Sequence, residues 1–259
     1  MTDRKQALFG LDTPDDKNFM SQMCDKADRA QKTGKPVYTK FFAPREQNMI
    51  SERLSRFCDI KSYGGYPDSE RNMMCFFDRE NLWEEFDFPL TVLKIMPTNK
   101  KEYSHRDYLG AILSLGIKRE LIGDIVINES TAYVFCHNEI SDYIMFNLEK
   151  IANARVVITV CDVTEISVPQ RSYKQKDDTI SSLRLDCVIS AALNMSRGNS
   201  LDVVKRGLVC HNYEQASSPS VVVKSGDIIS VRGFGKFEVY TDGNLTKKGR
   251  YHIQTKKYI

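Results

Sequence analysis

A pattern of two short helices followed by short strands occupies residues 181–231, which read SSLRLDCVIS AALNMSRGNS LDVVKRGLVC HNYEQASSPS VVVKSGDIIS V. Ser182 is a candidate N-cap for the first helix, and Ser196 is a candidate N-cap for the second. Gly207 suits the left-handed position that ends a helix. Strands are then predicted over 208–211, 220–223 and 228–231, with a turn at 224–227 between the last two.

The predicted helix pair carries four cationic side chains, and the turn adds a fifth: Arg184, Arg197, Lys205, Arg206 and Lys224. Arginine forks match phosphate oxygens bidentately, and lysine acts as a point charge. The free amides at the start of the second helix, near Ser196 and Arg197, form a natural anion site. Few aromatic residues lie between these cations, so we expect a polyanion to be recognised by its backbone and shape rather than by stacking on its flat groups. For Arg184 the alternative is a surface ion pair with Asp186 or Asp202.

In order and spacing, this stretch resembles the S-four domain, a small RNA-binding module. The matching residues are Leu183-Arg184-Leu185-Asp186, Ser196-Arg197, Lys205-Arg206-Gly207-Leu208-Val209, Asn212 and Lys224-Ser225-Gly226-Asp227-Ile228-Ile229-Ser230-Val231. The resemblance implies RNA contacts at Arg184, Ser196, Arg197, Lys205, Arg206 and Lys224, to which the basic tail adds Arg232 and Lys236. His211 and Tyr213 replace the Val and Gly that usually flank the module's Asn, which puts the turn after its first strand in question.

Charge is unevenly distributed along the 259 residues, although the net charge is only +3. Residues 1–165 carry 22 Lys and Arg against 26 Asp and Glu, whereas residues 181–259 carry 12 against 6. A basic end of this kind is typical of proteins that bind polyanions. A solvated basic tail is the alternative, and charge alone does not decide between the two.

The middle of the chain has a βαββαβ pattern. Strands are predicted over 90–96, 124–128, 131–136 and 156–163. Ser104 opens a helix with a capping box, and Asn138 is a candidate cap for a helix over 139–151. This order predicts a split-βαβ (RRM-like or ferredoxin-like) domain, with one antiparallel sheet and two helices on one face.

The chain as a whole is predicted to be an α+β protein. Helices over 15–33 and 44–58 precede two strands, 60–63 and 73–77, which are joined through a Gly64-Gly65 turn. The stretch 169–179 is polar and has no period, which favours a linker. The predicted division is an N-terminal helical region with a short hairpin (1–85), an RRM-like domain (86–165), a linker (166–180) and an S-four domain with a basic β-rich tail (181–259).

Three further segments resemble the YlmH family. With the S-four stretch, this resemblance covers about residues 40–259. The three segments are SYGGYPDSER (62–71), HRDYLGAILSLGIKRELIGDI (105–125) and RGFGKF (232–237). The resemblance implies a non-enzymatic protein that binds rRNA of the large ribosomal subunit, tRNA or both. It also implies a role with stalled ribosomes in translation quality control, or in cell division with a cell-division protein as partner. Lys118 and Arg119 are a candidate second RNA contact, and a solvated helix end is an equal alternative.

Motifs of enzymes that carry S-four domains are missing from the sequence. A pseudouridine synthase needs a second Arg-Leu-Asp, a tyrosyl-tRNA synthetase needs His-x-Gly-His, and a nucleotide-binding P-loop needs Gly-x4-Gly-Lys-Ser/Thr. We therefore expect no enzymatic activity. The alternative function is a cell-division-associated protein–protein adaptor with incidental RNA affinity, bound through residues 40–165.

Seven scattered cysteines without a Cys-x-x-Cys pair argue against a disulfide framework and a zinc site. Cys136 and Cys161 lie in apolar stretches and are expected to be small buried side chains. No metal or organic cofactor is implied. The apolar runs are too short to cross a bilayer, and the first twenty residues lack the apolar block of a signal peptide. We expect a soluble, cytoplasmic protein without membrane insertion.

Overall fold

The computed structural model describes residues 3–78, 86–99, 101–166 and 173–258. The chain divides into two compact units, residues 1–169 and 170–259. Both units mix helices with antiparallel strands, which confirms the predicted α+β class.

The N-terminal part of the first unit is a small sheet with helices, and its elements are α1 (Arg4–Leu8), α2 (Pro14–Thr33), β1 (Val37–Phe42), α3 (Pro44–Leu54), β2 (Asp59–Tyr63) and β3 (Asn72–Phe77). Thr13 Oγ1 accepts a hydrogen bond from the Asp16 N–H at 3.1 Å and so opens α2. Gly34 ends that helix at φ 62°. The predicted hairpin supplies two strands of a three-stranded sheet, which has the order β1-β3-β2.

The structure adds one N-terminal element to the prediction and corrects another. Strand β1 was not predicted, because its six residues follow a Gly-Lys-Pro turn too closely to show a long alternation; Thr39 and Phe41 are nevertheless both buried. Helix α3 ends at Leu54 rather than at residue 58, because the N–H groups of Phe57 and Cys58 both return to the Leu54 carbonyl in a closing turn.

The middle domain forms the predicted split-βαβ sandwich. Its elements are β4 (Leu90–Pro97), α4 (His105–Ser114), β5 (Ile122–Asn128), β6 (Thr131–His137), α5 (Ser141–Asn147), β7 (Lys150–Ile151) and β8 (Ala154–Cys161). The sheet order is β5-β6-β4-β8-β7, with all pairs antiparallel. The capping box predicted at the start of α4 is present between Ser104 and Asp107.

The predicted helix over 139–151 is wrong in its extent. His137, not Asn138, caps the start, where its Nδ1 accepts from the Glu139 N–H at 3.2 Å. A 3₁₀ turn leads into α5, which ends at Asn147, and the last two residues of the prediction form β7. Ile151 is buried in the same core from a strand as it would be from a helix, so its apolar character did not distinguish the two.

Both faces of the middle sheet contact other elements, although β8 leaves Val157 51% exposed. One face packs on α4 and α5 through a core that includes Leu93, Val134 and Ile112. The other face packs on the N-terminal sheet, where Phe41 and Phe135 are fully buried in one cluster.

The second unit contains β9 (Tyr173–Ile180), α6 (Leu185–Leu193), α7 (Arg197–Lys205), β10 (Val209–His211), β11 (Glu214–Gln215), β12 (Ile228–Val231), β13 (Gly235–Tyr240) and β14 (Tyr251–Tyr258). Its six strands lie in the order β11-β10-β12-β13-β14-β9. One face of the sheet packs on the two helices through a core that includes Val188, Val204, Ile229, Phe237 and Ile253.

The linker predicted over 166–180 is wrong for its second half. Residues Tyr173–Ile180 form β9, which pairs over all eight residues with β14, while 167–172 lie outside the described residues. As an edge strand, β9 has one neighbour and buries only Ile180, so its sequence shows no apolar alternation.

Two details of the S-four prediction also change. Ser182 does not cap the first helix: Arg184 occupies the N-cap position of α6 without a side-chain cap bond. The stretch 220–223 is not a strand, because only one isolated bridge joins Arg184 to Val222, with the Leu185 N–H donating to the Val221 carbonyl at 2.8 Å. The Ser196 cap, the left-handed Gly207 and strand β12 are confirmed.

Among the described residues, no helix is both long and apolar enough to cross a membrane.

Candidate nucleic-acid interface

The start of α7 is the centre of the predicted RNA contacts. Ser196 Oγ accepts from the Asn199 N–H at 3.2 Å, which fixes the first turn of the helix. Ser196 and Arg197 are exposed, and helix α7 has nine residues. The first-turn amides and a guanidinium are therefore presented together, as an anion requires.

Arg197 lies beside a second guanidinium that the sequence did not indicate. Its Nη2 donates to Ser181 Oγ at 2.8 Å and contacts Cys187 Sγ at 3.3 Å. Arg197 and Arg250 line one cavity of about 210 Å³, together with Ser181 and Ser190. The Arg250 Nη2 donates to the Thr179 carbonyl, which holds it at this wall. Two guanidinium groups at one cavity can each bind an oxygen of the same phosphate.

Arg184 is held by a carboxylate, which confirms the ion pair that was the alternative for this residue. Its Nε and Nη2 lie 3.0 Å and 3.3 Å from the two oxygens of Asp186. The Asp186 side chain is only 9% exposed, whereas that of Arg184 is 42% exposed. Because a buried carboxylate needs a partner, this pairing keeps much of the Arg184 fork away from RNA.

Arg206 and Lys205 are both exposed at the end of α7. Arg206 Nη1 lies 3.4 Å from Asp202 Oδ2, and both side chains are more than 60% exposed. An exposed pair at this helical spacing contributes only about 0.3–0.5 kcal/mol, so a phosphate can displace Asp202.

Lys224 is exposed on a turn that Asp227 organises. The Asp227 carboxylate accepts from the Lys224 N–H at 2.7 Å and from Asn212 Nδ2 at 2.8 Å, and it lies 2.6 Å from His211 Nε2. Partial burial favours a higher pKa for Asp227, but hydrogen bonds from Asn212, Lys224 and His211 outweigh it and hold that pKa below 3.8. The turn is thus rigid where it presents its lysine.

The departures from the S-four pattern at His211 and Tyr213 are explained by this arrangement. Asn212 and Tyr213 adopt φ values of 50° and 68°, in a tight turn between β10 and β11. Tyr213 therefore takes the left-handed conformation that a Gly adopts easily. His211 supplies a side-chain partner for Asp227 that a Val cannot supply.

Arg232 and Lys236 lie on either side of the bend between β12 and β13. The Arg232 N–H is fixed by the Leu208 carbonyl at 2.9 Å, and its side chain is exposed. Lys236 Nζ lies 4.6 Å from the ring centre of Tyr258 and 5.7 Å from that of Tyr213. Both predicted contacts thus lie in the second unit: Lys236 is in β13, and Arg232 follows β12, the strand that the Lys224 turn precedes.

The candidate second contact separates into two different environments. Lys118 is exposed, but Arg119 Nη1 donates to the carbonyls of Ile122 and Gly123. Burial and the nearby Arg71 lower the pKa of Arg119 to about 10, against the opposing effect of Asp124. Arg71 also donates to the Ile122 carbonyl, at 3.1 Å, and to the Phe41 carbonyl, at 3.0 Å. Arg119 therefore has a structural role where the two sheets meet.

In RRM domains, exposed aromatic residues of the sheet stack on RNA bases. The corresponding face of the middle sheet does not expose its central aromatic residue. Phe135, at the centre of β6, is fully buried. Its ring centre lies 5.2 Å from that of Tyr66, and Gly65 approaches it so closely that a Cβ there would lie 2.2 Å from the ring. The N-terminal sheet and its Gly-rich turn occupy this part of the face.

The cysteines are mostly core side chains. Cys136 and Cys161 are buried, as predicted, and burial raises the pKa of the Cys136 thiol to about 12. In residues 3–78, 86–99, 101–166 and 173–258, no group of three or more His, Cys, Asp or Glu is placed to hold a metal ion.

Comparisons with known proteins agree with this architecture. Residues 15–80 match the family model "YlmH, N-terminal", and residues 84–165 match the model "Putative RNA-binding domain in YlmH". "Ribosome-associated protein quality control protein P2" of Bacillus subtilis (strain 168) is 31% identical over 241 residues, which cover 92% of this chain and 94% of that protein. The solved structure of "Cell division protein ylmH from Streptococcus pneumoniae" has a TM-score of 0.53 and 21% identity, covers 61% of this chain and 97% of its own, and shares the fold.

Proposed function

The chain belongs to the YlmH family, and we propose that it is a non-enzymatic protein that binds structured RNA of the large ribosomal subunit through its second unit. The observation that carries this proposal is the exposed cationic set around α7 and the 224–227 turn. In that set, Arg197 and Arg250 share one cavity, and Arg206 is paired with an exposed aspartate.

Phosphate recognition explains the chemistry of the set. The cations project from short helices and tight turns whose backbone is fixed by hydrogen bonds, so little backbone entropy is lost when an RNA binds. Arg197 and Arg250 suit a phosphate of a folded RNA, and Lys205, Arg206 and Lys224 suit neighbouring phosphates.

A role with stalled ribosomes, and contact with tRNA as well as rRNA, is the finer proposal. Its support is the similarity to the Bacillus subtilis relative, which is named as a ribosome-associated quality control protein. Such a role is performed in the cytoplasm and requires no catalytic residue in this chain.

Co-sedimentation with separated 30S, 50S and 70S particles across a salt series tests the proposal. We expect the wild type to sediment with 50S, with log K falling by about 0.7–0.9 per phosphate contact for each unit of log salt concentration. The Arg197→Glu/Arg206→Glu variant should remain at the top of the gradient.

The matched control is Lys150→Glu/Arg155→Glu, which reverses the same number of charges on an exposed hairpin of the first unit. This control should sediment with 50S as the wild type does. Equal sedimentation of both variants, or an affinity that does not change with salt, would rule out the proposed phosphate contacts.

The second candidate function is a cell-division adaptor that binds a protein through the first unit. Phe146 on α5 is 83% exposed and Val160 on β8 is 59% exposed, and exposed apolar side chains of this size suit a protein partner. In that case the Arg197→Glu/Arg206→Glu variant would keep its partner, and a Phe146→Asp variant would lose it, as measured by affinity capture with a purified cell-division protein.

A further inference from the structure

The outer face of the sheet in the second unit carries three tyrosines and two lysines. The core residues Phe237 and Val239 alternate along β13 with Lys236, Glu238 and Tyr240. Residues paired across antiparallel strands share a face. The pairs Glu238–Lys256, Tyr240–Gln254 and Tyr258–Tyr173 therefore lie on the side opposite the helices. We call Tyr173, Tyr240, Tyr258, Lys236 and Lys256 the tyrosine face.

Hydrogen bonds and ring contacts fix the rings of the tyrosine face. The hydroxyls of Tyr240 and Tyr258 both donate to the carboxylate of Glu238, the former at 2.6 Å. Tyr173 packs edge-on against Tyr258, with ring centres 5.0 Å apart and an angle of 63° between the rings. Tyr173 is 41% exposed. These rings are ordered before any ligand arrives, so binding a flat ligand costs little side-chain entropy.

Each lysine of the tyrosine face lies over a tyrosine ring. Lys236 Nζ is 4.6 Å from the centre of Tyr258, and Lys256 Nζ is 4.7 Å from the centre of Tyr240. An exposed cation–π contact changes an equilibrium constant by about two- to fivefold. Stacking of a nucleic-acid base on an aromatic ring is worth about five- to 150-fold. A base can therefore replace the ammonium group over the ring, and the lysine can then reach the phosphate beside that base.

We propose that the tyrosine face is a second RNA-binding surface, which stacks unpaired bases on Tyr173, Tyr240 and Tyr258 while Lys236 and Lys256 contact the adjoining phosphates. The inference rests on the proposed RNA-binding function and adds a class of ligand, single-stranded RNA. It differs from the expectation from sequence, because the tyrosines belong to three strands that only the fold brings together. Aromatic rings with a lysine over each match flat bases that are joined by phosphates better than an apolar protein segment, and Glu238 and Asp177 on the same face balance the two lysines in formal charge.

Fluorescence anisotropy with the full chain tests this surface. The two probes are a labelled 12-nucleotide oligouridylate and a labelled blunt-ended 12-base-pair RNA duplex. Tyr173→Leu/Tyr240→Leu should weaken oligouridylate binding by about 25-fold or more, as two stacked bases are lost, and should leave duplex binding within about twofold. The matched control Tyr173→Phe/Tyr240→Phe keeps both rings and should bind oligouridylate within about twofold of wild type.

A second pair of substitutions covers the case in which the leucine variant fails to fold. Lys236→Gln/Lys256→Gln keeps the rings and should reduce the slope of log K against log salt for oligouridylate by about 1.4, or about 0.7 per lost contact. An unchanged slope together with an unchanged affinity would overturn the proposal.

Failure of this proposal is distinguishable from failure of the proposed function. If the wild type binds the duplex and 50S but not oligouridylate, or if the phenylalanine and leucine variants lose equal affinity, the tyrosine face does not stack bases. If Arg197→Glu/Arg206→Glu keeps duplex and 50S binding, the phosphate contacts of α7 are wrong, whatever the tyrosine variants do.

Discussion

The two large sheets of this protein are built alike, but they present different outer faces. Each is antiparallel and packs one face on two helices. In the first unit the other face packs on the N-terminal sheet, which buries Phe135. In the second unit the other face carries Tyr173, which is 41% exposed, and four further aromatic and cationic side chains. Sheet topology alone therefore does not determine whether a sheet has an open outer face; the elements that pack on its second face determine it.

The largest effect on stability is expected at the contact between the N-terminal sheet and the sheet of the middle domain. Gly65 has φ 106°, and a Cβ there would lie 2.2 Å from the Phe135 ring. Gly65→Ala should lower the free energy of unfolding by about 3 kcal/mol or more, because the ring must move and the backbone is strained. Urea unfolding of the full chain measures this.

Gly116 provides the control for backbone strain. It has φ 81°, and a Cβ there would meet nothing within 4 Å in the described part of the chain. Gly116→Ala should cost only about 1–2 kcal/mol. Equal costs at the two glycines would show that the contact between the sheets is looser than described.

A smaller effect is expected at the arginine that helps to join the two layers. Arg119→Gln should lower the free energy of unfolding by about 2 kcal/mol, because the carbonyls of Ile122 and Gly123 lose a charged donor. The exposed neighbour is the matched control, and Lys118→Gln should change stability by less than about 0.5 kcal/mol. If Lys118→Gln lowered the free energy of urea unfolding more than Arg119→Gln does, Arg119 would have no structural role and would again be a candidate RNA contact.

The smallest of these effects on stability is expected at the 224–227 turn of the second unit. Asp227→Asn should cost about 1–2 kcal/mol, because charge-assisted bonds to His211, Asn212 and the Lys224 N–H weaken. The folded-state pKa of Asp227 lies below its ordinary value of 3.8. Its extra stability is therefore present above about pH 5 and is lost as the pH falls below 3.8 through the folded pKa.

Amide exchange of residues 228–231, followed from pH 6 to pH 3, measures this contribution. The wild type should lose protection over that range relative to the Asp227→Asn variant, which lacks the titrating carboxylate. Parallel pH profiles for the two proteins would mean that Asp227 does not stabilise the turn.

Most of the helices and core strands were predictable because burial on one side produces a period. The middle domain followed from its βαββαβ pattern, and Ser196 and Gly207 marked the ends of α7. The sequence does not predict strand β9, because an edge strand with one buried residue has no period. It does not predict strand β1 either, because that strand is short.

The site was less predictable than the fold, because it depends on contacts between distant residues. The sequence identified Arg197, but not that Arg250, more than fifty residues later, lines the same cavity. It offered the Asp186 pair for Arg184 only as an alternative, and it gave no signal that Arg119 is held by carbonyls. The tyrosine face depends on the register of β9, β13 and β14, which cannot be deduced from a polar strand.

Lysine footprinting of the full chain, with and without purified 50S subunits, tests most directly whether RNA binds at the second unit. Acetylation read out by mass spectrometry should fall at Lys205, Lys224 and Lys236 when 50S is present. Lys118 and Lys150, which are exposed in the first unit, should react equally in both samples. Protection of Lys118 and Lys150 together with unchanged reactivity at Lys205 and Lys224 would contradict the account.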